Sequence, residues 1–161
     1  MLSEGGRIVV SKGTGVGPTR LAAFDKALLA AGVENYNLIR LSSVIPPGTA
    51  IERARYVSDP DEYGRRLYVV MAEQRASEPG EGAYAGLGWV QEPGDGRGLF
   101  VECEGVSHEN VHDEIVATLD SMTESRLRDY GPVESEIAGI ECTGRPVAAV
   151  VIAVYKSEPW G

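Results

Sequence analysis

The sequence predicts an α+β fold with layered sheets, because two long helical periods serve about seven strand-like runs and do not alternate with them as a doubly wound chain requires. Apolar residues recur at helical spacing in only two segments, 18–31 and 107–128. Short β-branched or alternating runs bounded by Gly, Pro, Asn and Asp fill most of the rest. The last run, 146–155, is apolar except at its end, as a central strand covered on both faces would be.

Residues 7–12 carry Ile8, Val9 and Val10 and read as a strand entering a glycine loop, Gly13-Thr14-Gly15-Val16-Gly17-Pro18. Pro18 stands where a first helical residue belongs, Leu21, Phe24, Leu28 and Leu29 follow at helical spacing, and Gly32 supplies a stop. A first helix is therefore expected over 18–31. Residues 37–41 read as a second strand. Ser42-Ser43-Val44-Ile45-Pro46-Pro47-Gly48 ends it, and its two prolines forbid helix or central-strand pairing directly afterwards. The charged, turn-rich stretch 52–63 reads as a surface loop. Strands are expected at 66–74, 83–91 and 98–104, parted by turns such as Pro93-Gly94-Asp95-Gly96. Ser107 can cap a second helix with the apolar stripe Val111, Ile115, Leu119 and Met122, and strands at 136–142 and 146–155 close the chain.

With 161 residues, 43% of them hydrophobic, residues 1–161 read as a single domain. A chain of this size buries roughly two thirds of its unfolded surface and needs no staple. The formal net charge of -9 repels phosphate backbones and anionic lipid, and no basic cluster offsets it, so nucleic acid and membrane surface are not expected partners. Lys12, Lys26 and Lys156 are the only lysines; such an acidic, lysine-poor surface suits high salt, and a GC-rich genome gives the same arginine bias. The apolar run 147–155 is too short to cross a bilayer and the N-terminus lacks a signal pattern, so a cytoplasmic location is expected. Cys103 and Cys142 read as small buried side chains rather than a disulfide.

Five features invite chemistry. Gly13-x-Gly15-x-Gly17 could cradle an anion, but its spacing fits neither the dinucleotide fingerprint nor a P-loop. His108-Glu109-Asn110-Val111-His112 satisfies H-E-x-x-H, the pattern of a zinc hydrolase with two imidazoles on one helix face. It starts directly after the expected cap, however, and no third histidine exists to complete a site. Glu102 shares a strand face with Phe100 and Glu104; beside apolar neighbours it could keep a proton and act as general acid, while the strand alone reads as a solvent-facing pair. Asp25 falls on one side of the first helix with Leu21 and borders its apolar face, either reaching solvent or awaiting a cation. A tight turn at Ser42-Ser43 would also let a serine hydroxyl attack its own backbone.

Ala23-Phe24-Asp25-Lys26-Ala27-Leu28-Leu29, Ala31-Gly32-Val33 and Asn35-Tyr36-Asn37-Leu38-Ile39-Arg40-Leu41-Ser42-Ser43-Val44-Ile45-Pro46-Pro47 together resemble the pyruvoyl-dependent arginine decarboxylases in residue type and spacing. Leu99-Phe100-Val101-Glu102-Cys103-Glu104-Gly105 is similar to that family's apolar-Glu-x-Glu-Gly strand. The resemblance covers nearly the whole chain and is strongest over 21–47. It implies an αββα sandwich of two mainly antiparallel sheets flanked by helices. It also implies self-cleavage between Ser42 and Ser43, giving a β chain of 1–42 and an α chain of 43–161 that starts with a pyruvoyl group derived from Ser43. The implied reaction is L-arginine to agmatine and CO2. By the same resemblance Glu102 is the general acid, Asn37 lies near the prosthetic group, Asp25 receives the guanidinium with Leu21 beside the alkyl chain, and three αβ protomers form active sites between neighbours. The short N-terminal extension, the stretch 52–65 and Cys103 beside the acid depart from the family pattern. Three rival readings stand beside it: a pyruvoyl decarboxylase for another basic amino acid, a zinc hydrolase using His108 and His112, and an unprocessed, non-catalytic oligomer.

Overall fold

The computed structural model describes residues 6–161. In chain order the elements are β1 (Arg7–Val16), α1 (Arg20–Ala31), β2 (Asn37–Arg40), β3 (Val44–Ile45), β4 (Ala50–Arg53), β5 (Arg66–Ala76), β6 (Gly82–Gln91), β7 (Gly98–Gly105), α2 (His108–Glu124), β8 (Glu134–Glu141) and β9 (Val147–Glu158), with one 3-10 turn at Pro60–Glu62.

Alternation along β9 decides the layering. Ala148, Val150, Ile152 and Val154 enter one core with Ala23, Ala27 and Ala31 of α1, while Ala149, Val151 and Ala153 enter another with Leu87, Trp89 and Phe100. Both faces are buried because β9 sits in the middle of a five-stranded sheet, β2-β5-β9-β1-β4. The second sheet, β3-β7-β6-β8, packs against it, and α2 covers its outer face through Val111, Ile115 and Leu119. The result is an αββα sandwich. The second sheet is antiparallel throughout, as are the long β1–β9 and β5–β9 ladders, while the outer pairs β1–β4 and β2–β5 run parallel.

Four expectations need correction. The expected glycine loop is strand: β1 continues through Gly13 and Gly15, and these glycines together with Gly17 form the surface on which α1 lies. A Cβ would stand 2.8 Å from the Ala31 nitrogen at Gly13, 2.6 Å from the Ala27 nitrogen at Gly15 and 2.8 Å from the Ala23 nitrogen at Gly17. The glycines therefore permit close helix-on-sheet packing and cradle no anion. α1 begins later than expected, at Arg20, where the Thr19 hydroxyl accepts the Ala22 N–H at 3.0 Å, and it ends as expected at Gly32 in the left-handed conformation. The expected surface loop 52–63 is not all loop, since β4 pairs there with β1 from Arg7↔Ala50 to Val10↔Arg53. An edge strand bonds through its backbone and tolerates charged side chains, so Glu52 and Arg53 hid it. With β3 and β4 the strands among the described residues number nine. Cys103 and Cys142 are both buried and free.

Candidate active site

The chain changes sheets between β2 and β3. The Leu41 N–H makes a last bond to Val69 O at 2.8 Å, Ser42 is exposed, and Ser43 turns inward with only 9% of its surface accessible. Ser43 has φ +84°, the left-handed region that a side chain disfavours. Contacts from both sheets hold it there. Phe100 N–H donates to the Ser43 carbonyl at 2.8 Å, Val44 pairs with Leu99, and the Tyr155 hydroxyl donates to the Val44 carbonyl at 2.9 Å.

The Ser43 hydroxyl donates to Glu102, with Oε2 at 3.1 Å and Oε1 at 3.4 Å. Period-two alternation explains the meeting. In β7, Leu99, Val101 and Cys103 pack toward α2, while Phe100 faces the space between the sheets and Glu102 follows on the same side. Phe100 is buried between Trp89 and Tyr155, with ring centroids 5.7 and 6.3 Å away. Glu102 lies one step further along, at the rim, and is exposed in the single chain. The rim thus brings a strained serine, a carboxylate, a backbone N–H and a phenol within one small volume.

Burial makes the Tyr155 phenol a weaker acid, and the nearby Glu102 charge adds to this, so Tyr155 stays a donor. Burial likewise pushes the Cys103 thiol up to about 11, with the charges of Glu114, Glu102 and Glu104 contributing. Cys103 neighbours Glu102 in sequence but points into the α2 core, away from Ser43.

The other residues singled out from the sequence lie elsewhere in the single chain. Asn37 is at the opposite end of β2, where its Nδ2 donates to Gly64 O at 2.8 Å. Leu21 and Asp25 are exposed on α1, which packs on the far side of the five-stranded sheet, and Asp25 makes no ion pair or side-chain hydrogen bond among the described residues. His108 and His112 stand on the exposed start of α2 with parallel rings 6.4 Å apart. No group of three His, Cys, Asp or Glu side chains that could hold a metal occurs among the described residues. Sequence reasoning missed Tyr155; its one signal was a phenol closing an otherwise apolar strand.

Comparison with known proteins agrees over the full length of the fold. A family model described as pyruvoyl-dependent arginine decarboxylase matches residues 7–158. The pyruvoyl-dependent arginine decarboxylase of Halobacterium salinarum is 39% identical over 159 residues, covering 95% of this chain and 96% of its own. That of Thermococcus kodakarensis is 35% identical over 156 residues, covering 96% of each. A solved structure of a pyruvoyl-dependent histidine decarboxylase at pH 8 overlaps 65% of this chain and 55% of its own, at 15% identity and a TM-score of 0.45. With the family model spanning β1 to β9 and relatives aligned from end to end, the chain belongs to the pyruvoyl-dependent arginine decarboxylase family.

Proposed function

We propose that the chain cleaves itself between Ser42 and Ser43, turns Ser43 into a covalent pyruvoyl group and uses it to decarboxylate L-arginine to agmatine and CO2. The observation that carries this reading is Ser43 itself, a buried non-glycine residue at φ +84° whose hydroxyl lies on Glu102. Strain of this kind is worth roughly 1–3 kcal/mol and persists only where the surroundings impose it. Breaking the Ser42–Ser43 peptide releases it. Ser43 Oγ bonds to the Ser42 carbonyl carbon as the amide C–N bond breaks and the nitrogen takes up a proton. Loss of the Ser43 Cα proton then expels the Ser42 carboxylate from Cβ, and water replaces the nitrogen as ammonia.

The residues present fit the group that this would leave. A pyruvoyl group at position 43 supplies an electrophilic ketone for the substrate amine and an adjacent amide carbonyl that takes up the electrons released with CO2. Phe100 N–H already donates to that carbonyl, at residue 43, and favours negative charge on its oxygen. Glu102, within hydrogen-bond reach of position 43, is placed to deliver a proton to the substrate Cα.

Substrate recognition needs a second protomer in this reading. Asp25 is placed to grip a guanidinium in bidentate fashion with Leu21 along the alkyl chain. Both lie across a sheet from Ser43 in their own chain, so a neighbour supplies them, and Asn37 with them. The face of α1 around Asp25 supports this, because Leu21 is 67% and Leu29 54% exposed, an apolar surface that a trimer of αβ protomers would cover. No helix among the described residues is long and apolar enough to cross a membrane, and we place the enzyme in the cytoplasm.

Incubation with carboxyl-labelled arginine tests the reaction. Labelled CO2 and agmatine in equal amounts, abolished by a hydrazine, are the expected result. Release that ignores carbonyl reagents, or lysine and ornithine consumed as readily as arginine, would overturn the assignment.

A further inference from the structure

We propose that Tyr155 is a positioning residue that clamps the new α-chain terminus once the chain is cut. The inference rests on cleavage between Ser42 and Ser43. After that break residue 43 has no chain before it, and a terminus frays unless something ties it down. The element that follows offers little hold, since β3 is only Val44–Ile45 at the edge of its sheet. The Val44 side chain is 61% exposed and anchors nothing; Ile45 is fully buried but lies two residues from the end.

Successive carbonyls of a strand point to opposite sides. The Ser43 carbonyl faces β7 and meets Phe100 N–H at 2.8 Å; the Val44 carbonyl faces the free edge and meets the Tyr155 hydroxyl at 2.9 Å. The terminus is thus gripped from both sides, once by its own sheet and once by the facing one. Tyr155 suits this work because it stands on β9, at the centre of the five-stranded sheet, with its ring against Phe100. Burial also keeps the phenol protonated, and so a donor, well into alkaline pH. With the phenol gone, residue 43 would swing about the remaining bond, loosening its contact with Phe100 N–H and its register with Glu102.

Tyr155→Phe keeps the ring and deletes only the hydroxyl. Tyr68→Phe serves as the control, deleting a phenol hydrogen bond of similar length, Tyr68 to Glu158 at 3.1 Å, that involves neither residue 43 nor residue 44. Intact mass, kcat and KM for arginine, and deuterium exchange at the Phe100 amide are measured on each purified enzyme. The Tyr155→Phe chain is expected to be cut normally, with kcat lower by about tenfold, the share of one hydrogen bond, KM within about twofold, and Phe100 exchange faster by about tenfold. Tyr68→Phe is expected to change none of these. Unchanged kcat and exchange in a cut Tyr155→Phe enzyme would overturn the clamp, as would an equal loss in Tyr68→Phe or a rise in KM alone. A Tyr155→Phe chain that stays whole while the wild type is cut would also overturn it, since the phenol would then act before the break. A wild-type chain that stays whole would remove the cleavage reading, and the clamp with it.

Discussion

At the scale of single residues, the serine pair was legible in the sequence and its partner tyrosine was not. Ser42-Ser43 before Pro46-Pro47 and the Glu102 strand are local patterns, and a local pattern survives without the fold. Tyr155 reaches Val44 from 111 positions away on the facing sheet, so only sheet packing reveals it. Each side chain at the rim has its own test. Ser43→Ala removes the attacking oxygen, and the chain is expected to remain whole on a denaturing gel at any incubation time. Glu102→Gln keeps an oxygen for the Ser43 hydroxyl but offers no acidic proton. Cleavage should persist while turnover falls at least about a hundredfold, and normal turnover would remove Glu102 from the mechanism. Asp25→Asn gives up a charge-assisted pair worth roughly 1.5–3 kcal/mol, so KM for arginine should rise by about tenfold to a hundredfold without loss of cleavage. An unchanged KM would sink its role as guanidinium partner.

Among the elements, the long helices and the buried strands followed from periodicity, whereas β3 and β4 did not. Two or four residues at a sheet edge are too few for a pattern, and their backbones do the pairing that hydrophobic side chains do elsewhere. The glycine run misled for another reason, because glycine marks turns and close approaches alike. Its spacing held the answer: Gly13, Gly15 and Gly17 keep the strand period of two, and Ala23, Ala27 and Ala31 keep the helical step of four. Those two stripes of small residues face each other. Gly15→Ala should therefore push α1 off its sheet and lower stability by about 1–3 kcal/mol, visible as a drop of several degrees in thermal melting. Because α1 carries Asp25, that variant should also lose affinity for arginine more than it loses cleavage. A variant that melts like the wild type would show that the helix can shift freely over the strand.

For the whole molecule, the net charge of -9 and the exposed apolar face of α1 pull in different directions. A charge of that sign is compatible with the approach of a cationic substrate, whereas the apolar face suits a neighbouring protomer. Light scattering should return about three times the protomer mass, and Leu29→Glu should return one protomer that is cut but inactive, since the site would lack its second chain. A fully active Leu29→Glu monomer would place the whole site within one chain. The sandwich itself explains how the molecule could survive its own break. The proposed cut would fall where the chain crosses from one sheet to the other, after the β1, α1 and β2 segments are already seated, so β1 and β2 would keep their ladders to β9, β4 and β5. Intact-mass spectrometry of the purified protein tests that break directly. Two polypeptides separated after Ser42, the larger one refractory to Edman degradation and shifted by a hydrazine, are the expected result. One unbroken chain of 17.2 kDa with a free Ser43 hydroxyl would contradict it.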